Sequence, residues 1–237
     1  MGGCRSRSWG RAAGAAVGLF VMFLAAAASA LTPAGYLERG VSRAEAGDLA
    51  GASDDFTRSI ALKPNNPEAF YNRGLARSFS GNLKGAVSDY TRAIALDPKA
   101  VAAYNNRGFV RAALGQYALA IADISKAVSL APDVPELYNN RGTVLNSMKD
   151  YRGAIADFDR ALRLDPRLAG VYNNRGLSRS MLGDAPGAIE DFTKSVTIDQ
   201  RYAAAWYNRG NARVSLGDAK GAVEDYTKAI VLDPKML

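Results

Sequence analysis

Asn72-Arg73-Gly74 is one of five copies of a tripeptide that returns at Asn106, Asn140, Asn174 and Asn208, each 34 residues after the last. Pro64, Pro98, Pro132, Pro166 and Pro234 fall on the same grid. A period of this length marks one supersecondary element copied and stacked, because an element this small cannot bury its apolar face alone. From Pro33 onward the chain divides into six units, at residues 33–66, 67–100, 101–134, 135–168, 169–202 and 203–236. Phe70, Arg73, Gly74 and Arg77 recur at helical steps, and Ala86, Val87, Tyr90, Ala93 and Ile94 repeat the pattern, so each unit reads as two amphipathic helices. Gly47, Gly81, Gly115, Gly183 and Gly217 lie between the two helices and suit a left-handed C-cap, while Pro67 and Pro135 suit a first helical turn.

The composition removes much chemistry. The chain has no histidine and one cysteine, Cys4, which leaves no imidazole base, no Ser-His or Cys-His nucleophile and no His-ligated metal. No cofactor or metal site is expected. A hydrolase built on carboxylates alone is disfavoured, because the acids recur unit by unit instead of converging as one unlike pair in a cleft.

Residues 1–30 carry Arg5, Arg7 and Arg11, then an apolar run from Ala12 to Ala27, then Ala28-Ser29-Ala30. This order is that of a secretory signal peptide with a small-residue cleavage site. The run is shorter than the ~20 residues that span a bilayer, so cleavage before Leu31 is expected, with retention as a membrane anchor the alternative. Met1-Gly2-Gly3-Cys4-Arg5-Ser6 also fits the looser N-myristoylation pattern. The expected location is periplasmic or extracellular. Cleavage removes three arginines and no acid, which takes the net charge from +7 to +4, too small an excess to point to a polyanion.

The repeat resembles the tetratricopeptide repeat, whose pattern runs W-x2-L-G-x2-Y, then A-x3-F, then P. In the last unit Trp206, Gly210, Ala222, Tyr226 and Pro234 stand in those places. The resemblance covers all six units over residues 31–237. It implies an all-α fold, a right-handed α-solenoid of six helix-turn-helix units whose first helices line a concave groove. Gly74 and Ala86 would let paired helices approach, with Phe70 and Tyr90 filling the space beside them.

The chain departs from that pattern in two repeated places, one of them the family's Tyr, which is here mostly Arg. Where the family has Leu before the Gly, it has Arg39, Arg73, Arg107, Arg141, Arg175 and Arg209. These arginines fall on the packing face and need a counter-ion, and each unit supplies an acid in its second helix: Asp55, Asp89, Asp123, Asp157, Asp191 or Asp225. A partly buried, bidentate Arg-Asp pair is expected in every unit. The competing partner of each aspartate is the base three residues on, namely Arg58, Arg92, Lys126, Arg160, Lys194 or Lys228. An anion-binding ladder of arginines is the functional alternative.

On a helical wheel Asn72 lies opposite Phe70, which points it toward the hollow. The equivalent row is Asn72, Asn106, Asn140, Asn174 and Asn208, with Asn105, Asn139 and Asn173 beside it and Val41, Leu75, Phe79, Phe109, Leu177 and Met181 between. An amide offers a donor and an acceptor, so such a row can hold the backbone of an extended peptide without reading its side chains. The alternative is that the amides link adjacent first helices. The inner stripes contain no lysine or arginine, while Glu38, Glu45, Glu68 and Glu136 lie in or beside them. That favours a neutral or basic peptide and disfavours nucleic acid, which needs several phosphate contacts. The expected function is a non-enzymatic scaffold binding another protein. The alternative is self-assembly into a homo-oligomer through the last unit, where Val223, Ile230, Leu232, Met236 and Leu237 form an apolar end.

Overall fold

The computed structural model describes residues 31–235, and every described element is helical. The signal segment read in residues 1–30, and Met236 and Leu237, lie outside the described residues. Twelve helices follow in order: α1 (Pro33–Glu45), α2 (Leu49–Leu62), α3 (Pro67–Phe79), α4 (Leu83–Leu96), α5 (Val101–Ala113), α6 (Tyr117–Leu130), α7 (Pro135–Ser147), α8 (Tyr151–Leu164), α9 (Ala169–Met181), α10 (Ala185–Ile198), α11 (Ala203–Ser215) and α12 (Ala219–Leu232). Among the described residues no helix is long and apolar enough to cross a membrane.

Local chemistry sets the helix ends. Pro33, Pro67 and Pro135 open α1, α3 and α7, where a missing N–H costs nothing. Each short turn within a hairpin passes through the left-handed region, at Gly47, Gly81, Gly115, Gly183 and Gly217 with φ of 84°, 83°, 74°, 82° and 79°. The residue after that glycine then caps the second helix: Asp48, Asn82, Asp184 and Asp218 each accept from a backbone N–H three residues on. Two hairpins depart from this. The fourth places Lys149 at φ 63° where the others have glycine, and the third has Gln116 at the cap without a side-chain bond.

The chain forms two compact bodies, one running to Val110 and the other from Arg111 onward. In the first, Ala52, Phe56 and Ala76 pack with Leu37 and Val41, and Ala93, Ile94 and Ala103 pack with Phe70 and Tyr104. In the second, the largest cluster joins Tyr138, Ala154, Phe158, Ala161, Leu162 and Val171. The hairpins close through one repeated contact. In five of them a second-helix aromatic packs against a first-helix glycine: Phe56 on Gly40, Tyr90 on Gly74, Phe158 on Gly142, Phe192 on Gly176 and Tyr226 on Gly210. A Cβ at Gly176 would sit 2.7 Å from Phe192 Cε1, closer than side chains pack. Burial of Tyr90 pushes its phenol well above the ordinary range.

Within each body α1 touches α3, α7 touches α9 and α9 touches α11, whereas the second helices α2 and α4, α6 and α8, α8 and α10, and α10 and α12 do not touch. First helices therefore form the inner layer of each body and second helices the outer one.

Lys149 carries the cost of a left-handed backbone that glycine avoids, on the order of 1 kcal/mol. Lys149→Gly is expected to raise the thermal midpoint of the protein by an amount equivalent to about 1 kcal/mol. An unchanged or lowered midpoint would show that the turn is not strained.

Candidate functional site

The inner layer is organised around the arginine that precedes the regularly spaced glycine of each first helix, Arg39 in Glu38-Arg39-Gly40 and the arginine of each Asn-Arg-Gly after it. Its Nε and Nη2 donate to the two oxygens of the aspartate sixteen residues later: 2.8 and 2.6 Å for Arg39 to Asp55, 3.0 and 2.7 Å for Arg73 to Asp89, and 2.7 Å twice for Arg141 to Asp157. Arg175 to Asp191 gives 3.0 and 2.5 Å, and Arg209 to Asp225 gives 2.8 and 2.6 Å. A planar guanidinium matches a carboxylate in this forked geometry, which lysine cannot reproduce. The aspartates are buried. The hydrogen bonds from Arg39 hold the Asp55 carboxyl below its usual range, whereas at Asp191 burial pushes it up against the pull of Arg175 and Arg179.

A second arginine reaches the same carboxylate one turn later along the first helix. Arg43, Arg77, Arg111, Arg179 and Arg213 approach Asp55, Asp89, Asp123, Asp191 and Asp225 through Nη1 at 3.0, 2.8, 2.7, 3.1 and 3.1 Å. The fourth hairpin has Leu145 in that place. In the third, Arg111 Nε is buried without a partner, because the cap that faces the equivalent nitrogens of Arg43, Arg179 and Arg213 as Asp48, Asp184 and Asp218 is here Gln116.

The remaining nitrogen, Nη1 of the first arginine, points backward to the preceding hairpin. Arg73 donates to Thr57, Arg107 to Thr91 and Arg141 to Ser125, each at 3.0 Å; Arg175 donates to Asp159 at 2.5 Å and Arg209 to Thr193 at 3.2 Å. The guanidiniums also stack on the aromatic three residues earlier, from 5.8 Å at Tyr138 to 4.6 Å at Trp206. Arg58, Arg92 and Arg160, the rival partners of the aspartates, lie instead over the rings of Tyr36, Phe70 and Tyr138. Arg73, Arg141, Arg175 and Arg209 thus each join both helices of their own hairpin to the one before. With these bonds made, the series is not a ladder of free cations.

The amides form a second junction on the inner layer. Asn106 Nδ2 donates to the Tyr71 hydroxyl at 3.0 Å, Asn174 Nδ2 to Asn139 Oδ1 at 3.0 Å and Asn208 Nδ2 to Asn173 Oδ1 at 2.9 Å, each partner lying on the preceding first helix. Asn105 Nδ2 donates to Asn106 Oδ1 at 3.2 Å. Asn72, Asn140 and Asn173 are buried, while Asn105, Asn106, Asn139, Asn174 and Asn208 are half-buried. A wheel drawn for one helix cannot show this cover, since the neighbouring hairpin provides it. Ser178 Oγ donates to Asn146 Oδ1 at 2.8 Å, a cross-hairpin bond that the repeat pattern does not signal.

What stays open beside the amides is apolar. Phe79 is 77% exposed, Met181 63%, Phe109 39% and Leu177 38%, with Leu75 half-buried. In the first body a cleft of about 190 Å³ opens between the first two hairpins, lined by Ala44, Glu45, Leu49, Asn72, Leu75, Ala76 and Phe79. Among the described residues no three carboxylates or thiols gather to hold a metal.

Models of the tetratricopeptide repeat match residues 101–134, 135–168 and 203–236, and a TPR repeat model matches residues 80–115. The chain belongs to the tetratricopeptide repeat family. Its six helix pairs make it an all-α solenoid of that type. Among solved structures it is similar to YrrB, described as a TPR protein with an unusual peptide-binding site, at 25% identity over 76% of this chain and 93% of that one, with a TM-score of 0.60. PilF of Pseudomonas aeruginosa shares the fold at 18% identity over 86% and 92% of the two chains, with a TM-score of 0.72. The APC/C hetero-tetramer Cut9-Hcn1 does so at 20% identity and a TM-score of 0.71 over 87% of this chain, which spans only 41% of that one. No curated protein matches the sequence.

The tetratricopeptide hairpins should respond unequally to losing either member of an ion pair. Asp225→Leu strips the carboxylate from both Arg209 and Arg213 and is expected to cost about 3–5 kcal/mol in denaturant unfolding. Arg209→Leu leaves Asp225 paired with Arg213 and should cost less. The reverse order would contradict the assignment.

Proposed function

We propose that this tetratricopeptide protein is a non-enzymatic interaction scaffold that holds an extended segment of another protein along the first-helix layer of its hairpins. One observation carries the reading: Phe79, Phe109, Leu177 and Met181 stand in water on that layer, directly beside the amides. Exposed apolar side chains of this size are what an interaction surface offers a partner. Asn174 and Asn208 each use one N–H toward the preceding helix, which leaves a second N–H and a carbonyl oxygen for a peptide backbone. The signal-like residues 1–30 support export to the periplasm or beyond, or anchoring there, as the setting of this function.

Self-assembly is the second reading, favoured by α12, where Val223 is 63% and Val231 73% exposed and Ile230 and Leu232 are also open. Benzoyl-phenylalanine placed at position 79, 109, 181 or 223, or at the outer-face position 126 as a control, separates the two. The proposal predicts adducts with one other protein from positions 79, 109 and 181 and none from 126. Adducts of the chain with itself, from position 223 alone, would replace it with the assembly reading.

A further inference from the structure

The cleft between α1, α2 and α3 has an uneven electrostatic surround. Its wall is apolar, formed by Ala44, Leu49, Leu75, Ala76 and Phe79, and Glu45 stands at its edge. Phe79, the most exposed large apolar side chain of the described residues, forms one side. On α3 the residues Glu68, Asn72, Leu75 and Phe79 succeed one another at three- and four-residue steps, so they share one face of the helix. On α1, Glu38 lies two turns before Glu45, about 10 Å away on the same side. Glu38, Glu45 and Glu68 are all exposed, and among the described residues no lysine or arginine is paired with any of them. The neighbouring cations are engaged elsewhere: Arg39 and Arg43 on Asp55, and Arg73 and Arg77 on Asp89. An apolar hollow thus sits within reach of three uncompensated carboxylates, on a chain whose net charge is +7.

We infer that this cleft is the anchor point of the bound segment, taking one large apolar side chain of a partner that carries lysine or arginine about three residues to one side of it, toward the N-terminal ends of α1 and α3 where Glu38 and Glu68 lie. The inference rests on the proposed function and names the chemistry of its ligand. The spacing follows from geometry: an extended strand advances about 3.3 Å per residue, so the ~10 Å from the cleft to Glu38 or Glu68 is about three residues. A bound leucine would bury its side chain against Leu49, Leu75 and Phe79. The flanking cation would meet carboxylates that have no internal partner to give up. An acidic segment is repelled at the same place, which supplies selectivity as well as attraction.

The test uses fluorescein-labelled Ser-Lys-Ser-Ser-Leu-Ser-Ser-Lys-Ser and two controls, one with glutamate for both lysines and one with serine for the leucine, titrated with the protein by anisotropy. The lysine-leucine peptide should bind about fivefold or more tighter than the glutamate peptide, and about tenfold or more tighter than the serine peptide. Phe79→Ser should weaken it, and Glu45→Gln with Glu68→Gln should level the lysine and glutamate peptides; all three positions are exposed, so the fold should survive, as melting would verify. The general positive charge of the chain works against a cationic peptide, so a preference for lysine reports this local site. Equal binding of the lysine and glutamate peptides, or no saturable binding of any, would overturn the inference. If benzoyl-phenylalanine at position 79 still captures a defined partner in that event, the scaffold function stands and only the ligand chemistry falls.

Discussion

Every hairpin of this solenoid is organised around a guanidinium held where the common repeat pattern has leucine. Burying a charge is expensive, and a buried pair contributes little more than a well-packed apolar substitute would. The arginine uses its geometry instead. It has donors on three sides, and the structure uses them in different directions: two on the aspartate of the same hairpin, one on the hydroxyl or carboxylate of the hairpin before. A leucine could fill the same volume but would not fix which residue of the next hairpin lies opposite. Register is what a directional bond adds to a greasy contact, and in a repeat protein an error of register would pass to every later copy.

The amides repeat this logic on the inner layer. Asn174 against Asn139, and Asn208 against Asn173, join first helix to first helix through polar groups that do not compete with the apolar core. Because junctions are made by these polar bonds, the large apolar residues of the inner layer are not needed for stacking. Phe79 and Met181 stay mostly exposed and Phe109 and Leu177 more than a third exposed, and this division of labour leaves a surface available to a partner.

The 34-residue period and the helical steps around Asn72 were enough to read the helix pairs, and the sixteen-residue interval from Arg73 to Asp89 was visible because both residues recur. The backward bond from Arg73 to Thr57 was not legible, since a hydroxyl at that place has no pattern that distinguishes it from an ordinary exposed threonine. The place becomes chemically conspicuous only once, where Asp159 substitutes for it. The amide row was legible as a row, but a wheel drawn for an isolated helix has no neighbour in it and leaves Asn72 and Asn140 open where the structure buries them. The irregular copies were the hardest to read. Leu145 and Gln116 each remove one partner and Lys149 takes a backbone conformation that suits glycine, and the consequences, such as the unpartnered Arg111 Nε, appear only when the surrounding atoms are in place.

One arginine couples two successive hairpins, and the bond between Arg175 and Asp159 isolates that coupling, because Asp191 keeps Arg179 when Arg175 is removed. A double-mutant cycle with Asp159→Ala and Arg175→Met, read by denaturant unfolding, measures that coupling directly. A coupling energy of about 1–3 kcal/mol is expected between the two positions. Additivity to within about 0.5 kcal/mol would show that the hairpins stack without the arginine.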